Sequence, residues 1–508
     1  MHSCIMSCGL EGIEGYLLEI EIDVALGTLP GFDIVGLPDT SVRESRERVR
    51  SAIKNSGYKF INRRITVNLA PGDRKKEGPL YDLAIAVGLT SAMHDISLEK
   101  FAGSMFFGEL ALDGRIRPVN GILPLIIAGK KAGLCAAIVP VENAGEAALV
   151  KGMNIYACNT LSDVLAIISG EQSAESFIFT SEEQCGTPKT TDIDFADVKG
   201  QELAKRAFEI SAAGMHNLAM TGPPGTGKTM LARRLPGIMP PLSEEEMLEV
   251  TKLYSIAGLT EGKLLHARPF RAPHHTVTVA GMIGGMSNPK PGEASLAHNG
   301  ILFLDEMPEF KRQVLEVLRQ PMEEGLVSLA RGGRRLVFPA RFMLIAASNP
   351  CPCGFLHDPV HPCTCRPQDI SRYKSRISGP LSDRIDMQIE IGRNGFDDIG
   401  QSIPKGRSTA EMKAVVERAQ ILQKIRYTDE RFSYNSQIPS GKLERYCQLD
   451  ASTGTLLRDA FKRFGMSMRS HDRVLKLART IADIDGNQQI GANHIAEAIG
   501  YRRMEIEA

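Results

Sequence analysis

The chain has no tryptophan, and aromatic residues make up only 6% of its 508 positions, so any large core must be built from aliphatic side chains. It also lacks a net charge, with Lys+Arg and Asp+Glu numbering 60 each. That balance excludes a uniformly basic surface for nucleic acid, and any such contact must come from a local patch. No apolar run is long enough to span a bilayer, and Met1-His-Ser-Cys-Ile-Met-Ser-Cys8 lacks the basic and apolar regions of an export signal. The expected location is the cytoplasm, without a membrane partner. The 43% hydrophobic and 24% charged content excludes disordered and fibrous classes and fits two to four folded domains. Ten cysteines, four of them clustered, suit a reducing compartment and one metal site better than a disulfide framework.

What stands out is a phosphate-binding loop. Gly222, Pro223, Pro224, Gly225, Thr226, Gly227, Lys228 and Thr229 complete the pattern G-x-x-x-x-G-K-[ST]. Leu218-Ala-Met220 before it predicts the end of a buried strand, and Met230-Leu-Ala-Arg233 after it a helix start, the context that gives the motif its meaning. The glycines let backbone N–H groups close on phosphate oxygens, and the helix N-terminus adds positive dipole. Lys228 then reaches the β- and γ-phosphates, and Thr229 places its hydroxyl on Mg²⁺. A second element, Ile301-Leu-Phe-Leu-Asp305-Glu306, predicts a buried strand with two acids at its C-terminal end, where α/β sheets bind ligands. Asp305 is placed to hold Mg²⁺, and Glu306 to orient and deprotonate the attacking water. A third strand, Phe342 to Ser348, ends at Asn349, beside the γ-phosphate. The expected substrate and ion are therefore ATP and Mg²⁺.

Around this core the chain divides into 1–170, an α+β domain; 171–191, a polar linker that cannot bury enough apolar surface to fold alone; 192–395, the nucleotide core; and 396–508, a helical lid. Alternation at Leu18–Val24 and Arg64–Leu69 predicts strands. Between them Ser41 caps a helix to about Asn55, with Arg43, Arg46, Arg48 and Arg50 on its solvated face.

Two resemblances follow from these residues. Lys76-Glu-Gly-Pro-Leu80-Tyr-Asp82 resembles the proteolytic domain of Lon, whose lysine-acid-Gly-Pro-Ser run carries the nucleophile. Here Leu80 holds the serine position, and Leu123, in Val119-Asn-Gly-Ile-Leu123, holds that of the base lysine. Two leucines supply neither nucleophile nor base. The resemblance implies a Lon-like, ribosomal S5 domain 2-like fold that is proteolytically inactive. The phosphate loop, the Asp305-Glu306 strand and Asn349 resemble AAA+ ATPases. With Pro269-Phe-Arg-Ala-Pro-His-His-Thr276 and Ser378-Gly-Pro-Leu-Ser-Asp-Arg-Ile-Asp386, the chain resembles, over essentially its whole length, the YifB/ComM family of magnesium-chelatase-like AAA+ ATPases.

That resemblance implies a P-loop αβα core, an arginine finger at Arg384, a sensor-2 arginine at Arg469 with Ser467 as helix cap, and an adenine cover from Phe195 to Gln201 with Val198 and Gln201 in contact. It further implies a homohexamer acting on single-stranded or branched DNA as a branch-migration helicase, in homologous recombination and natural transformation, alongside recombination proteins. The alternative in the same family is a chelatase-type ATPase that remodels a protein partner or inserts metal into a tetrapyrrole.

Three features extend beyond the nucleotide motifs. Val327 to Phe338 alternates on both sides of Gly332-Gly333, predicting a hairpin with a type I′ turn. It would present Arg331, Arg334 and Arg335 for phosphate contact without base readout, or simply carry solubilising charge. His274 and His275 form a second candidate pore element, or core or ring-interface residues. Cys351, Cys353, Cys363 and Cys365 make a C-x-C…C-x-C cluster suited to a structural Zn²⁺, with His357 and His361 as substitute ligands. The alternative is four reduced surface thiols.

Overall fold

The computed structural model describes residues 1–25, 29–173, 176–177, 193–260, 262–285, 290–331, 334–377, 379–393 and 406–502, with Arg331 and Arg334 described by backbone alone. Most of the predicted linker and the 395/396 boundary lie outside the described residues. The chain forms two compact units: Met1–Thr187 together with Glu244–Leu265, and Pro188–Ser243 together with His266–Ala508.

The first unit is built on a mixed seven-stranded sheet in the order Gly31–Val35, Arg64–Ala70, Glu14–Ala25, His2–Glu11, Ser104–Phe106, Ala136–Pro140 and Asn154–Cys158. Alternation does what period two requires: Leu18, Ile20, Ile22 and Val24 are fully buried, whereas Leu17 is exposed. The helix Thr40–Asn55 buries Val42, Val49, Ala52 and Ile53. Its cap is Asp39 and not Ser41, because Asp39 has the extended backbone of a cap and its Oδ1 accepts from the Val42 N–H at 2.8 Å. Arg48 also departs from the expected solvated face. Its Nε lies 2.6 Å from the fully buried Asp82 carboxylate, which would otherwise be an uncompensated internal charge. Leu80 and Leu123 are both buried in the same apolar core.

The stretch Glu244–Leu265, which the sequence places within the nucleotide core, joins the first unit. Its helix, Glu244–Ala257, buries Val250, Leu253 and Ile256. Ser255 O accepts from the Gly121 N–H at 3.0 Å, and Thr260 Oγ1 donates to Glu146 Oε2 at 2.6 Å. No local signal distinguishes this helix from one that packs within the unit preceding it in sequence, since both need only one apolar face.

The second unit carries an all-parallel sheet in the order Phe270–Arg271, Ile301–Leu304, Met343–Ser348, Leu218–Thr221 and Met387–Glu390. Ile301–Leu304 is apolar throughout and Met343–Ser348 is apolar up to its last residue, as strands covered on both faces must be. The C-terminal helices Thr409–Arg426, Met468–Ile484 and Ala492–Gly500 share this core: Met412, Val416, Val474 and Leu477 belong to one cluster with Leu218, Met220, Met387 and Ile389. The first of these helices starts at a capping box of Ser408 and Glu411, and the second is capped by Ser467, whose hydroxyl accepts from the Ser470 N–H.

Candidate nucleotide site

Sheet register brings the site together. Thr221 pairs with Ser348 in parallel strands, so the loop that follows Thr221 and the Asn349 that follows Ser348 leave the same edge. The strand Ile301–Leu304, on the other side of Met343–Ser348, delivers Asp305 and Glu306 there. The loop 222–227 then enters the helix Lys228–Ile238. Gly225 and Gly227 take φ of 80° and 84°, which a β-carbon disfavours. A β-carbon on Gly222 would stand 2.3 Å from the Ile391 carbonyl oxygen.

Lys228 is buried inside this loop, and its ammonium donates to the carbonyls of Gly222 at 2.6 Å and Pro223 at 2.9 Å and to Asn349 Oδ1 at 3.3 Å. Burial pulls its pKa down, opposed by the Asp305 and Glu306 charges. Thr229 Oγ1 donates to Asp305 Oδ2 at 2.7 Å, and Asp305 Oδ1 accepts from the Glu306 N–H at 3.1 Å. Glu306 is exposed, with φ of 52°, a non-glycine left-handed residue of the kind found where side-chain direction matters. A hydroxyl touching a carboxylate is a hard-oxygen pair that suits Mg²⁺, so Thr229 and Asp305 fit that ion. Bound there, it would neutralise phosphate charge.

Tyr373 has no signal in the sequence to single it out. It is buried on the helix Pro367–Lys374, and the nearby Asn349 backbone N–H favours its charged form. Burial first, then the charge of Glu309, raises its pKa to about 12.

Among the described residues neither of the two arginines that the resemblance selects is hydrogen-bonded or ion-paired to the loop. Arg384 is nearly buried, with its guanidinium hydrogen-bonded to Glu323 Oε1 and the Pro380 carbonyl of its own chain. Arg469 is exposed in the first turn of Met468–Ile484, and no hydrogen bond or ion pair among the described residues engages it. What ties their surroundings together is Asp386. Its Oδ1 accepts from Arg473 at 2.7 Å, one turn beyond Arg469, and its Oδ2 accepts from the Asn217 N–H at 2.9 Å. Arg502 Nη1 adds a bond to the Ile385 carbonyl at 3.1 Å and Nη2 another to Ser470 Oγ at 3.2 Å.

Burial works to raise the Asp386 pKa, but Arg473 and then His216 hold it well below the usual carboxylate range. A carboxyl with a folded pKa below its unfolded one contributes stability above the unfolded value, about 3.9, and loses it as pH falls through the folded value. Asp386→Asn is accordingly expected to cost about 3 kcal/mol in urea unfolding at pH 7. The difference from wild type should shrink below about pH 4.

Val198 is buried, and Gln201 Nε2 donates to the Gly392 carbonyl at 2.8 Å. His275 packs edge-on against Phe310 and its ring lies 4.1 Å from that of His274. The strands Leu326–Arg331 and Arg334–Pro339 pair antiparallel with Arg331 opposite Arg334, while Gly332-Gly333, and with them the predicted turn type, lie outside the described residues. Arg335 is exposed, and its guanidinium donates to Ser328 Oγ at 3.1 and 2.8 Å. The four clustered cysteines bring their sulfurs together, within 4.8 Å of one another. His357 and His361 do not join them: His357 is exposed, and the His361 ring lies against Phe355. Backbone N–H groups of Phe355 and Thr364 draw the Cys353 pKa down to about 6. No helix among the described residues is long and apolar enough to cross a membrane.

Comparison with known families gives matches along most of the chain. Residues 194–399 match the model described as magnesium chelatase, subunit ChlI. Residues 20–143 match subunit ChlI of Mg-chelatase, and 406–502 the C-terminal part of that subunit. The chain is 41% identical to competence protein ComM of Haemophilus influenzae over 498 residues, covering 97% of this chain and 96% of the relative. It is 43% identical to the uncharacterized protein YifB of Salmonella typhimurium over 495 residues, covering 97% and 96%. A partial likeness, 31% identity over 169 residues and 30% of each chain, links it to Lon protease 2 of Bacillus subtilis.

Proposed function

The chain belongs to the YifB/ComM family of magnesium-chelatase-like AAA+ ATPases, and on that footing we propose that it is an ATP-hydrolysing ring motor acting on DNA, a branch-migration helicase of recombination and natural transformation. The observation that carries the ATPase half is the convergence of Lys228, Thr229, Asp305 and Asn349 on one sheet edge, joined by direct hydrogen bonds. In this reading the phosphate loop and Lys228 hold the β- and γ-phosphates, and Thr229 and Asp305 hold Mg²⁺. Asn349 and Glu306 orient the attacking water, and Glu306 takes its proton. Arg469 senses nucleotide within the protomer, and Arg384 acts on the site of its neighbour.

The DNA half rests on the hairpin and on the likeness to the competence protein ComM. The exposed Arg335, two positions past the glycine pair, supports a reading in which guanidinium groups grip a strand by its phosphates at any sequence. The Arg334→Ala/Arg335→Ala double variant is expected to keep basal ATP turnover and to lose its stimulation by single-stranded and four-way-junction DNA. The slope of log affinity against log salt for single strands should flatten by about 0.7 for each phosphate that is no longer neutralised. A wild-type rate indifferent to both DNAs would remove the DNA reading and leave the ATPase reading standing. It would also favour the second reading, a chelatase-type remodeller. A protease is not proposed, since the positions that would need a nucleophile and a base are the buried Leu80 and Leu123.

We place the protein in the cytoplasm as a homohexamer, with single-stranded or branched DNA and recombination proteins as partners. The first unit we assign to the inactive Lon-like, S5 domain 2-like class.

A further inference from the structure

The four cysteines between 351 and 365 take no part in the nucleotide chemistry above, yet they adjoin it. Cys351 Sγ lies 3.4 Å from Cys353 Sγ and 3.7 Å from Cys363 Sγ, and Cys353 Sγ lies 3.6 Å from Cys363 Sγ. A disulfide would need about 2.05 Å. Zinc–sulfur bonds of about 2.3 Å in a tetrahedron set neighbouring sulfurs about 3.8 Å apart, close to the spacing observed. The second C-x-C pair is docked on the first by the Cys353 N–H, which donates to Cys365 Sγ at 3.3 Å. As thiolates the four sulfurs would repel at this spacing unless a dication stood among them, and four protein ligands make a closed, structural site.

The knot touches the nucleotide loops directly. Gly354, adjacent to Cys353, has φ of 84° and is buried against the phosphate loop: a β-carbon there would be 2.7 Å from Pro224 Cδ and 3.8 Å from Asn349 Cγ. Cys351 follows Asn349 by two positions, and Asn349 Oδ1 is the acceptor for Lys228. Among the described residues no helix or strand runs between Met343–Ser348 and Pro367–Lys374, so nothing in the backbone ladder would hold this wall in place.

We infer that Cys351, Cys353, Cys363 and Cys365 bind one structural zinc ion, and that the resulting knot positions Asn349 and the phosphate loop so that ATP hydrolysis depends on zinc. The second half rests on the nucleotide reading; the first does not. The experiment is metal analysis of full-length protein purified under reducing conditions, with ATP turnover on the same samples. Wild type is expected to carry one zinc per chain. Cys363→Ser/Cys365→Ser should lose the metal and at least about tenfold in kcat at unchanged thermal unfolding of the rest of the chain. Cys365→His, which exchanges the fourth thiolate for an imidazole ligand, should keep both metal and rate.

Gly354→Ala is expected to retain zinc and lower kcat, with a smaller change in KM, by pressing on Pro224. Wild-type protein that neither contains zinc nor binds it when added overturns the site. Zinc-free protein turning over ATP at the wild-type rate, or Gly354→Ala with wild-type kcat, overturns the coupling. Zinc-loaded wild type without any ATP turnover sinks the nucleotide reading and the coupling with it, while the metal count still decides the site.

Discussion

Replacing Arg384 by alanine is expected to lower ATP turnover about 10³-fold or more, the range over which arginine fingers act, while nucleotide binding and assembly persist. In its own chain the guanidinium is paired with Glu323 and the Pro380 carbonyl, not with Lys228 or Asp305. As a finger, Arg384 would act at another protomer's site. The decisive measurement mixes two inactive proteins, Arg384→Ala and Lys228→Ala. In a mixed ring some Arg384→Ala protomers, whose phosphate loop is intact, face a Lys228→Ala neighbour whose Arg384 is intact, so turnover should reappear on mixing. Mixtures that stay inactive despite forming rings by light scattering would place Arg384 outside the reaction. Glu323 is half-exposed, so Glu323→Gln should have a small effect on stability and serves as the control for loss of the intrachain pair.

The second large effect is at Glu306. Glu306→Gln removes the proton acceptor while preserving shape, and turnover is expected to fall about 10²- to 10⁴-fold with nucleotide affinity intact. Lys228→Ala should instead lose affinity and turnover together, because its buried ammonium is the charged donor within the loop. The contrast is read by equilibrium binding of a fluorescent nucleotide beside a single-turnover assay. A Glu306→Gln protein hydrolysing at the wild-type rate would remove the general-base role, whatever the fate of Lys228→Ala. Asp305→Ala should resemble Lys228→Ala more than Glu306→Gln, since Asp305 is already engaged with the Thr229 hydroxyl.

Much of the site was legible in the chain because its parts obey local rules. A phosphate loop needs glycines at positive φ, and Gly225 and Gly227 have it. A buried strand needs an unbroken apolar run, and Ile301–Leu304 is one. Period-two alternation marked Leu18–Val24 within the strand Glu14–Ala25, and Ser467, read as a helix cap, does start the helix Met468–Ile484. Where two residues compete for one local role, the pattern is weaker: Ser41 and Asp39 are both good caps, and only backbone conformation selects Asp39. Arg48 shares the spacing of its arginine neighbours and differs only in having a buried carboxylate within reach.

Residue identity at short spacing was enough to specify the nucleotide chemistry, the lack of a proteolytic nucleophile at Leu80, and the family. It took the folded chain to show that Glu244–Leu265 packs with the first unit, that Asp386 joins Arg473 close in sequence to Arg384 and Arg469, that Tyr373 lies near Asn349, and that Gly354 sets the cysteine cluster against Pro224. These are contacts between segments far apart in the chain or on different elements. Any apolar face, carboxylate or glycine satisfies the local rule equally well, and the choice among partners is made only when strand register and packing bring particular surfaces together.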